Sequence, residues 1–133
     1  MATRTGKGAA YLGKQVRGAA DRLDLIEWKG SKAARHTLDC TEFTSLCPVT
    51  GQPDFGRLVI EYTPARHIVE TKSLKLWLRN WRERGVFNEV IVEEIADAFA
   101  QQVRPRSLTV RGAFNLRGGI SVTAESHRGK RRA

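Results

Sequence analysis

Four stretches of the chain have the pattern of β-strands: three alternate apolar and polar residues, and one, residues 58–62, is a largely apolar run typical of a buried strand. The first covers residues 37–43. The second covers residues 58–62 and ends at Pro64, which cannot continue a strand ladder. The apolar positions of the last two are Leu108, Val110 and Phe114, then Ile120, Val122 and Ala124. Residues 117–119 lie in or beside the turn between these two strands, so they are predicted to form a hairpin.

The pattern changes to that of a helix after residue 73. Apolar residues recur there with the spacing i, i+3, i+4 and i+7, at Leu74, Trp77, Leu78 and Trp81. This spacing predicts one apolar helix face. Gly85 is expected to end the helix in a left-handed conformation.

A second helix is predicted to follow at once. Asn88 is the expected N-cap, and Phe87 is expected to pack on Val92 as a hydrophobic staple. Residues 104–105, Arg-Pro, should end this helix because proline blocks its continuation.

The order strand, strand, helix, helix, strand, strand predicts an α+β domain. We expect a four-stranded antiparallel sheet with two helices on one face. The predicted divisions are a basic N-terminal tail or arm (residues 1–35), a catalytic domain (36–126) and a basic C-terminal tail (127–133). A chain of 133 residues fits one such domain.

The formal net charge of +9 resides at the two ends of the chain. Residues 1–35 carry +5, residues 128–133 carry +4, and residues 36–127 are neutral. Nucleic-acid binding through the tails is therefore one hypothesis, and simple solvation of the tails is the more conservative one. No stretch approaches the ~20 apolar residues of a membrane span. The sequence predicts a cytoplasmic protein whose two cysteines are free thiols.

The densest group of reactive residues lies in a predicted loop over residues 45–55. Cys47 could serve as a nucleophile, and Asp54, seven residues later, could transfer a proton if the loop folds back on itself. A buried structural cysteine in a turn between strands is the alternative. The sequence alone leaves both open.

A second group begins the first predicted helix, where Lys72 and Lys75 could bind phosphate beside the helical N–H groups. A solvated helix start is the alternative. The three histidines, His36, His67 and His127, are scattered and have no metal-binding spacing, so no metal site is expected.

Four motifs together resemble the single-domain nitrile reductases that convert 7-cyano-7-deazaguanine to its 7-aminomethyl form in the queuosine pathway of tRNA modification. In this chain they are CTEFTSLCPVTGQPDF (40–55), VETKSLKLW (69–77), GVFNE (85–89) and RGGIS (117–121). The first two are long and specific. The resemblance implies a tunnelling fold (T-fold), homo-oligomeric stacked rings, and a substrate pocket between neighbouring subunits.

The resemblance also implies a role for each matching residue. Cys47 would attack the nitrile carbon to form a thioimide, and Asp54 would protonate the nitrile nitrogen. NADPH would supply two hydrides. The implied substrate-binding residues are Glu89, Asn88, Glu70 and Ser73. The implied cofactor-binding residues are Lys72, Ser73, Lys75, Arg117 and Gly118.

Three positions depart from the family pattern. Asn88 stands where the family usually has histidine, so this position cannot shuttle protons near neutral pH. Thr71 replaces a frequent serine. Val90 and Ile91 occupy a region where some members carry a second cysteine that protects the nucleophile. Cys40 could take that part only if its Cα lies within about 7 Å of that of Cys47.

The sequence leaves two other functions open. A related enzyme adds ammonia to the same thioimide and forms an amidine on tRNA, but its members generally lose the cofactor motif seen here at residues 70–77. A non-catalytic nucleic-acid-binding protein would account for the basic ends but not for Cys47 and Asp54.

Overall fold

A computed structural model describes Ala10 and residues 18–129 of the chain. The described part contains, in chain order, β1 (Leu25–Glu27), β2 (His36–Leu46), β3 (Pro53–Thr63), β4 (His67–Val69), α1 (Thr71–Leu78), α2 (Asn88–Val103), β5 (Ser107–Arg117) and β6 (Ile120–Gly129). The long strands form one antiparallel sheet in the order β2-β3-β5-β6, and β1 pairs with β4 separately. The predicted α+β class is confirmed.

One face of the sheet supports the hydrophobic core. Leu58 and Ile60 of β3 and Val110 of β5 are fully buried there. Helix α2 packs on this face through Ile95 and Phe99, which are also fully buried. Each such side chain contributes about 1.5–3 kcal/mol of hydrophobic free energy. The packed sheet is therefore a rigid support for the loops at the ends of its strands.

The hairpin between β5 and β6 turns at Gly118 and Gly119, as predicted. Their φ angles are +57° and +79°. Positive φ at both central residues is the requirement of a two-residue type I′ turn, and only glycine adopts it without strain. The turn fixes the position of Arg117 directly before it.

Helix α1 does not end in the predicted way. It tightens into a 3₁₀ turn over Arg79–Trp81, and Gly85 is not in the left-handed region. Gly85 instead forms a bridge with Leu46, and a Cβ atom on it would lie 3.2 Å from the Cα of Pro48. Its role is therefore a close approach to the loop after β2 rather than a helix cap.

The start of α2 also differs from the prediction. Ile91 N–H donates to the carbonyl of Phe87 at 3.0 Å, so Phe87 is the N-cap and Asn88 is the first helical residue. Phe87 is 58% exposed, which contradicts the predicted staple with buried Val92. The chain reaches Phe87 directly from its contact with β2. The backbone of Phe87 is therefore extended, and no side chain caps the helix.

The segment before β2 is tied into the domain. Ala20 and Leu23 are fully buried, Ala20 N–H donates to Leu76 O at 3.1 Å, and Leu23 N–H donates to Gln102 Oε1 at 2.8 Å. At the other end, β6 extends through Gly129. The predicted boundaries at residues 36 and 127 stay a prediction, but packing continues beyond both. The basic stretches 1–9, 11–17 and 130–133 lie outside the described residues.

No helix in the described part of the chain combines the length and the apolar character needed to cross a membrane.

Candidate functional site

Cys47 lies directly after β2, in a loop over residues 47–52 that leads into β3. This loop is shorter than the predicted one because β2 continues to Leu46 and β3 begins at Pro53. Cys47 N–H donates to Gln52 O, and Gly51 N–H donates to Cys47 O, both at 2.9 Å. These bonds close the loop and hold Cys47 in place.

Hydrogen-bond donors of the loop surround the Cys47 sulfur. The hydroxyl of Thr50, its backbone N–H and the N–H of Val49 lower the pKa of the Cys47 thiol, while desolvation and the charge of Asp54 act more weakly in the opposite direction. Donors aimed at a sulfur stabilise the thiolate, which is the nucleophilic form. Cys47 is partly exposed, so a reagent can reach it. These features favour a reactive thiol over a purely structural one.

Cys40 is the natural comparison because it is the other free thiol. Burial, with a smaller contribution from the charge of Asp39, raises its pKa to about 11. Cys40 is therefore a protonated thiol at neutral pH, and its nucleophilicity is low.

We expect the two thiols to be alkylated with different pH dependences. The rate for Cys47 with iodoacetamide should rise with pH and level off at a lower pH than the rate for Cys40, since the loop donors stabilise the Cys47 thiolate. The rate for Cys40 should still be rising above pH 10, because its pKa is about 11. Peptide mass spectrometry after timed quenching measures both rates in one sample. Equal profiles for the two cysteines would contradict the activation of Cys47.

Asp54 lies at the start of β3 with its side chain only 12% exposed. Arg117 Nε lies 3.1 Å from Asp54 Oδ1, and the Arg117 guanidinium also donates to the carbonyl of Pro53. Asp54 is close enough to Cys47 for its charge to act on the thiol. The structure thus brings three predicted residues, Cys47, Asp54 and Arg117, to one end of the sheet.

Ser45 faces Asp54 across the β2–β3 ladder. Directly paired residues project to the same face of a sheet. Ser45 is fully buried, and its hydroxyl has no hydrogen-bond partner among the described residues. Orphan buried hydroxyls are rare because they cost about 1–3 kcal/mol. An unused donor therefore lies on the same side of the sheet as the Asp54 carboxylate.

Asn88 and Glu89 reach the same end of the molecule through the chain before α2. Leu46 N–H donates to Arg84 O at 3.0 Å, and Val86 N–H donates to Leu46 O at 3.2 Å. Two residues span at most about 7 Å, so Asn88 begins α2 close to the end of β2. Its Oδ1 atom is buried without a partner among the described residues, and Glu89 is exposed.

Large apolar side chains are exposed around this end of the sheet. They come from the Cys47 loop, the start of β3, the start of α2 and the β5–β6 hairpin: Val49, Phe55, Phe87, Val90, Leu116 and Ile120, each 45–80% exposed. Such a concentration of exposed apolar residues is typical of an interaction surface. We call these six residues the apolar rim.

Glu70 and Ser73 form the start of α1. Glu70 Oε2 accepts the N–H of Lys72 at 2.7 Å, and Oε1 accepts the N–H of Ser73 at 2.9 Å. The Ser73 hydroxyl donates to Glu70 O at 2.7 Å and accepts the N–H of Asp24 at 2.9 Å. Both side chains are buried. They hold the helix start together, and their predicted ligand contacts stay a prediction.

The N–H groups expected to receive a phosphate at this helix start are therefore occupied by Glu70. That part of the sequence-based hypothesis is wrong, because the carboxylate already supplies the negative charge that a helix N-terminus favours. The ammonium groups of Lys72 and Lys75 are on exposed residues and fit an anionic cofactor. Gly118 lies in the hairpin turn, beyond Arg117.

Sequence reasoning missed Thr50, Ser45 and two arginines, Arg79 and Arg82. Thr50 lies inside the matched motif, and its spacing of three from Cys47 was a usable signal for a turn that folds back on the sulfur. The arginines continue the spacing of Lys75 along one helix face. In the described part of the chain, no group of three or more His, Cys, Asp or Glu side chains could hold a metal ion.

A family model described as "QueF-like protein" matches residues 53–133. The NADPH-dependent 7-cyano-7-deazaguanine reductase of Anaeromyxobacter sp. (strain Fw109-5) is 45% identical over 96 residues, 72% of this chain and 79% of that protein. The protein of the same name from Nitrobacter hamburgensis is 40% identical over 121 residues, 91% of this chain and 75% of that protein.

Among solved structures, the archaeosine synthase QueF-Like in the apo form superposes with a TM-score of 0.66. The match covers 78% of this chain and all of that chain, at 18% sequence identity. This likeness concerns the fold, and it confirms the predicted T-fold. The family model covers more than half of the chain, and the sequence relatives agree with it, so the chain belongs to the QueF-like family.

Proposed function

We propose that this chain is an NADPH-dependent oxidoreductase that reduces the nitrile of 7-cyano-7-deazaguanine to an aminomethyl group. Relatives that are 40–49% identical to it over aligned segments of 86–121 residues carry the name of this activity. The observation that carries the proposal is the Cys47 sulfur, which lies among hydrogen-bond donors and within electrostatic reach of Asp54.

Cys47 is the nucleophile in the proposed chemistry. Its sulfur bonds to the nitrile carbon, the C≡N bond becomes C=N, and a thioimide results. The proton of the thiol passes to Asp54, and Asp54 delivers it to the nitrile nitrogen as the S–C bond forms. Arg117 holds Oδ1 of Asp54, which fixes the carboxyl group while it transfers the proton.

NADPH, when bound, supplies two hydrides in separate steps. Between them the C–S bond breaks, so the Cys47 thiolate leaves and an imine remains. The overall change consumes two hydrides and two protons and yields a primary amine. Lys72 and Lys75 would hold the phosphates of the cofactor, because compact ammonium groups bind phosphate as point charges.

Glu89 would bind the amino-pyrimidinone edge of the base. A carboxylate that accepts two N–H donors side by side both binds and orients a planar ligand. Asn88, next to it, supplies an amide that can donate and accept hydrogen bonds but cannot carry a proton. In this chain, proton delivery to the substrate therefore falls to Asp54.

A second copy of the chain completes the pocket in this proposal. The apolar rim surrounds the Cys47 loop, and a neighbouring subunit packed on it would exclude water from the thioimide. We expect Ile120→Asp, which places a charge in the rim, to lower the oligomer mass in light scattering and to lower activity with it. A fully active single chain at assay concentration would contradict the shared pocket.

The direct test mixes the protein, 7-cyano-7-deazaguanine and NADPH. We expect nicotinamide absorbance to fall with two NADPH oxidised per aminomethyl product formed, as measured by mass spectrometry of the base. Conversion to an amidine with ammonium and without NADPH consumption would instead assign the ammonia-adding reaction. The 18% identity to the archaeosine synthase carries no information on which reaction occurs.

A further inference from the structure

A groove lies between the outer strand β2 and the end of helix α1. Its volume is about 300 Å³, and residues 40–44 of β2 form one wall. The opposite wall consists of Lys75, Leu78, Arg79 and Arg82. The volume is at the lower end of the range of small-molecule sites, about 300–1,000 Å³. It would hold a phosphorylated sugar, but not a whole dinucleotide.

A bulge in β2 shapes the first wall. Cys40 pairs with Leu58 and Phe43 pairs with Gly56, so Thr41 and Glu42 together oppose a single residue of β3. Bulges bend a strand and redirect side chains, and they are frequent beside functional sites. Here both residues of the bulge, Thr41 and Glu42, line the groove.

Three cations shape the second wall. Lys75, Arg79 and Arg82 are spaced i, i+4 and i+7, which places them on one side of the helix and the 3₁₀ turn that continues it. Across the groove, Glu42 contributes one negative charge. Cys40 contributes none near neutral pH, since burial raises its pKa to about 11. The groove therefore has a net positive charge and suits an anion with more than one charge.

We propose that this groove binds the 2′-phosphorylated ribose of NADPH, with Arg79 and Arg82 holding the 2′-phosphate. The proposal rests on the proposed function and names the part of the cofactor that these residues recognise. Lys75 belongs both to the cofactor motif and to the groove, so the two are continuous. A guanidinium group can donate two parallel hydrogen bonds to two oxygens of one phosphate. The 2′-phosphate is the group that distinguishes NADPH from NADH.

The test measures binding without the nitrile reaction. Calorimetry with adenosine 2′,5′-bisphosphate and with adenosine 5′-monophosphate compares wild type, Arg79→Gln, Arg82→Gln and the control Arg66→Gln. Arg66 is exposed and outside this groove, and its substitution removes the same charge. In each groove variant, the Kd for the bisphosphate should rise by about tenfold, and the Kd for the monophosphate should stay within about twofold of the wild-type value. The control should match wild type.

Steady-state kinetics then compares NADPH with NADH in the same proteins, after circular dichroism has established equal folding. We expect KM for NADPH to rise by about tenfold and KM for NADH to stay within about twofold. Unchanged bisphosphate binding, or equal losses for the two cofactors, would overturn the assignment. Loss of RNA binding in the groove variants with an unchanged KM for NADPH would also overturn it, because the groove would then be a nucleic-acid site. If the wild-type protein binds the bisphosphate but does not oxidise NADPH in the presence of the nitrile, the proposed function is wrong and the assignment of the groove still stands.

Discussion

Cys47→Ala is expected to abolish nitrile reduction, with a loss of at least about 10⁴-fold in kcat, because the covalent bond to the substrate can no longer form. The residue is partly exposed in a surface loop whose closing hydrogen bonds use backbone atoms, so the fold should persist. Turnover is followed by NADPH absorbance, and binding of the base is followed by calorimetry.

Cys40→Ala is the matched control for this variant. It removes the same atom from the other free cysteine, whose thiol is protonated near neutral pH. It should keep complete labelling of Cys47 by the base, and labelling is the readout because Cys40 also lines the groove between β2 and α1. Turnover of Cys47→Ala at the wild-type rate, or loss of the covalent label in Cys40→Ala but not in Cys47→Ala, would reject Cys47 as the nucleophile.

Asp54→Asn is expected to lower kcat by about 10²- to 10⁴-fold, the usual contribution of a positioned proton donor. The amide has the shape of the carboxyl group but cannot carry the proton from sulfur to nitrogen. KM for NADPH should change little, since the effect falls on adduct formation. Rapid-quench mass spectrometry of the protein mixed with the base measures that step directly.

Asp39→Asn controls for loss of an aspartate–arginine ion pair. Asp39 lies on β2 and pairs with Arg57 on exposed surface, as Asp54 pairs with Arg117 at the site. Exposed pairs contribute little to stability, so this variant should fold and turn over like wild type. If Asp54→Asn formed the adduct at the wild-type rate, Asp54 would have no part in proton transfer.

The sequence predicted the sheet and the two helices because their apolar spacing is regular. Residues 58–62 and the face of α2 bury the side chains that the pattern indicates. It also predicted a loop after the first long strand that carries Cys47, but it left open whether that loop folds back to bring Asp54 close to the thiol. The structure adds the backbone bonds of that loop and the donors around the sulfur.

Other features could not be predicted from local patterns because they depend on contacts between distant residues. Residues 25–27 pair with residues 67–69, and strands of three residues leave almost no periodic signal. The N-cap prediction for Asn88 relied on residue preference, but the contact of residues 84–86 with Leu46 sets the backbone there. The ion pair between Arg117 and Asp54 joins residues 63 positions apart in sequence, so only the strand register reveals it.

The most direct measurement is the intact mass of the protein after incubation with 7-cyano-7-deazaguanine in the absence of NADPH. We predict a mass increase equal to one molecule of the base per chain, located by peptide mapping on Cys47 and discharged when NADPH is added. An unmodified protein that still reduces the nitrile, or a base attached elsewhere, would contradict covalent catalysis by Cys47.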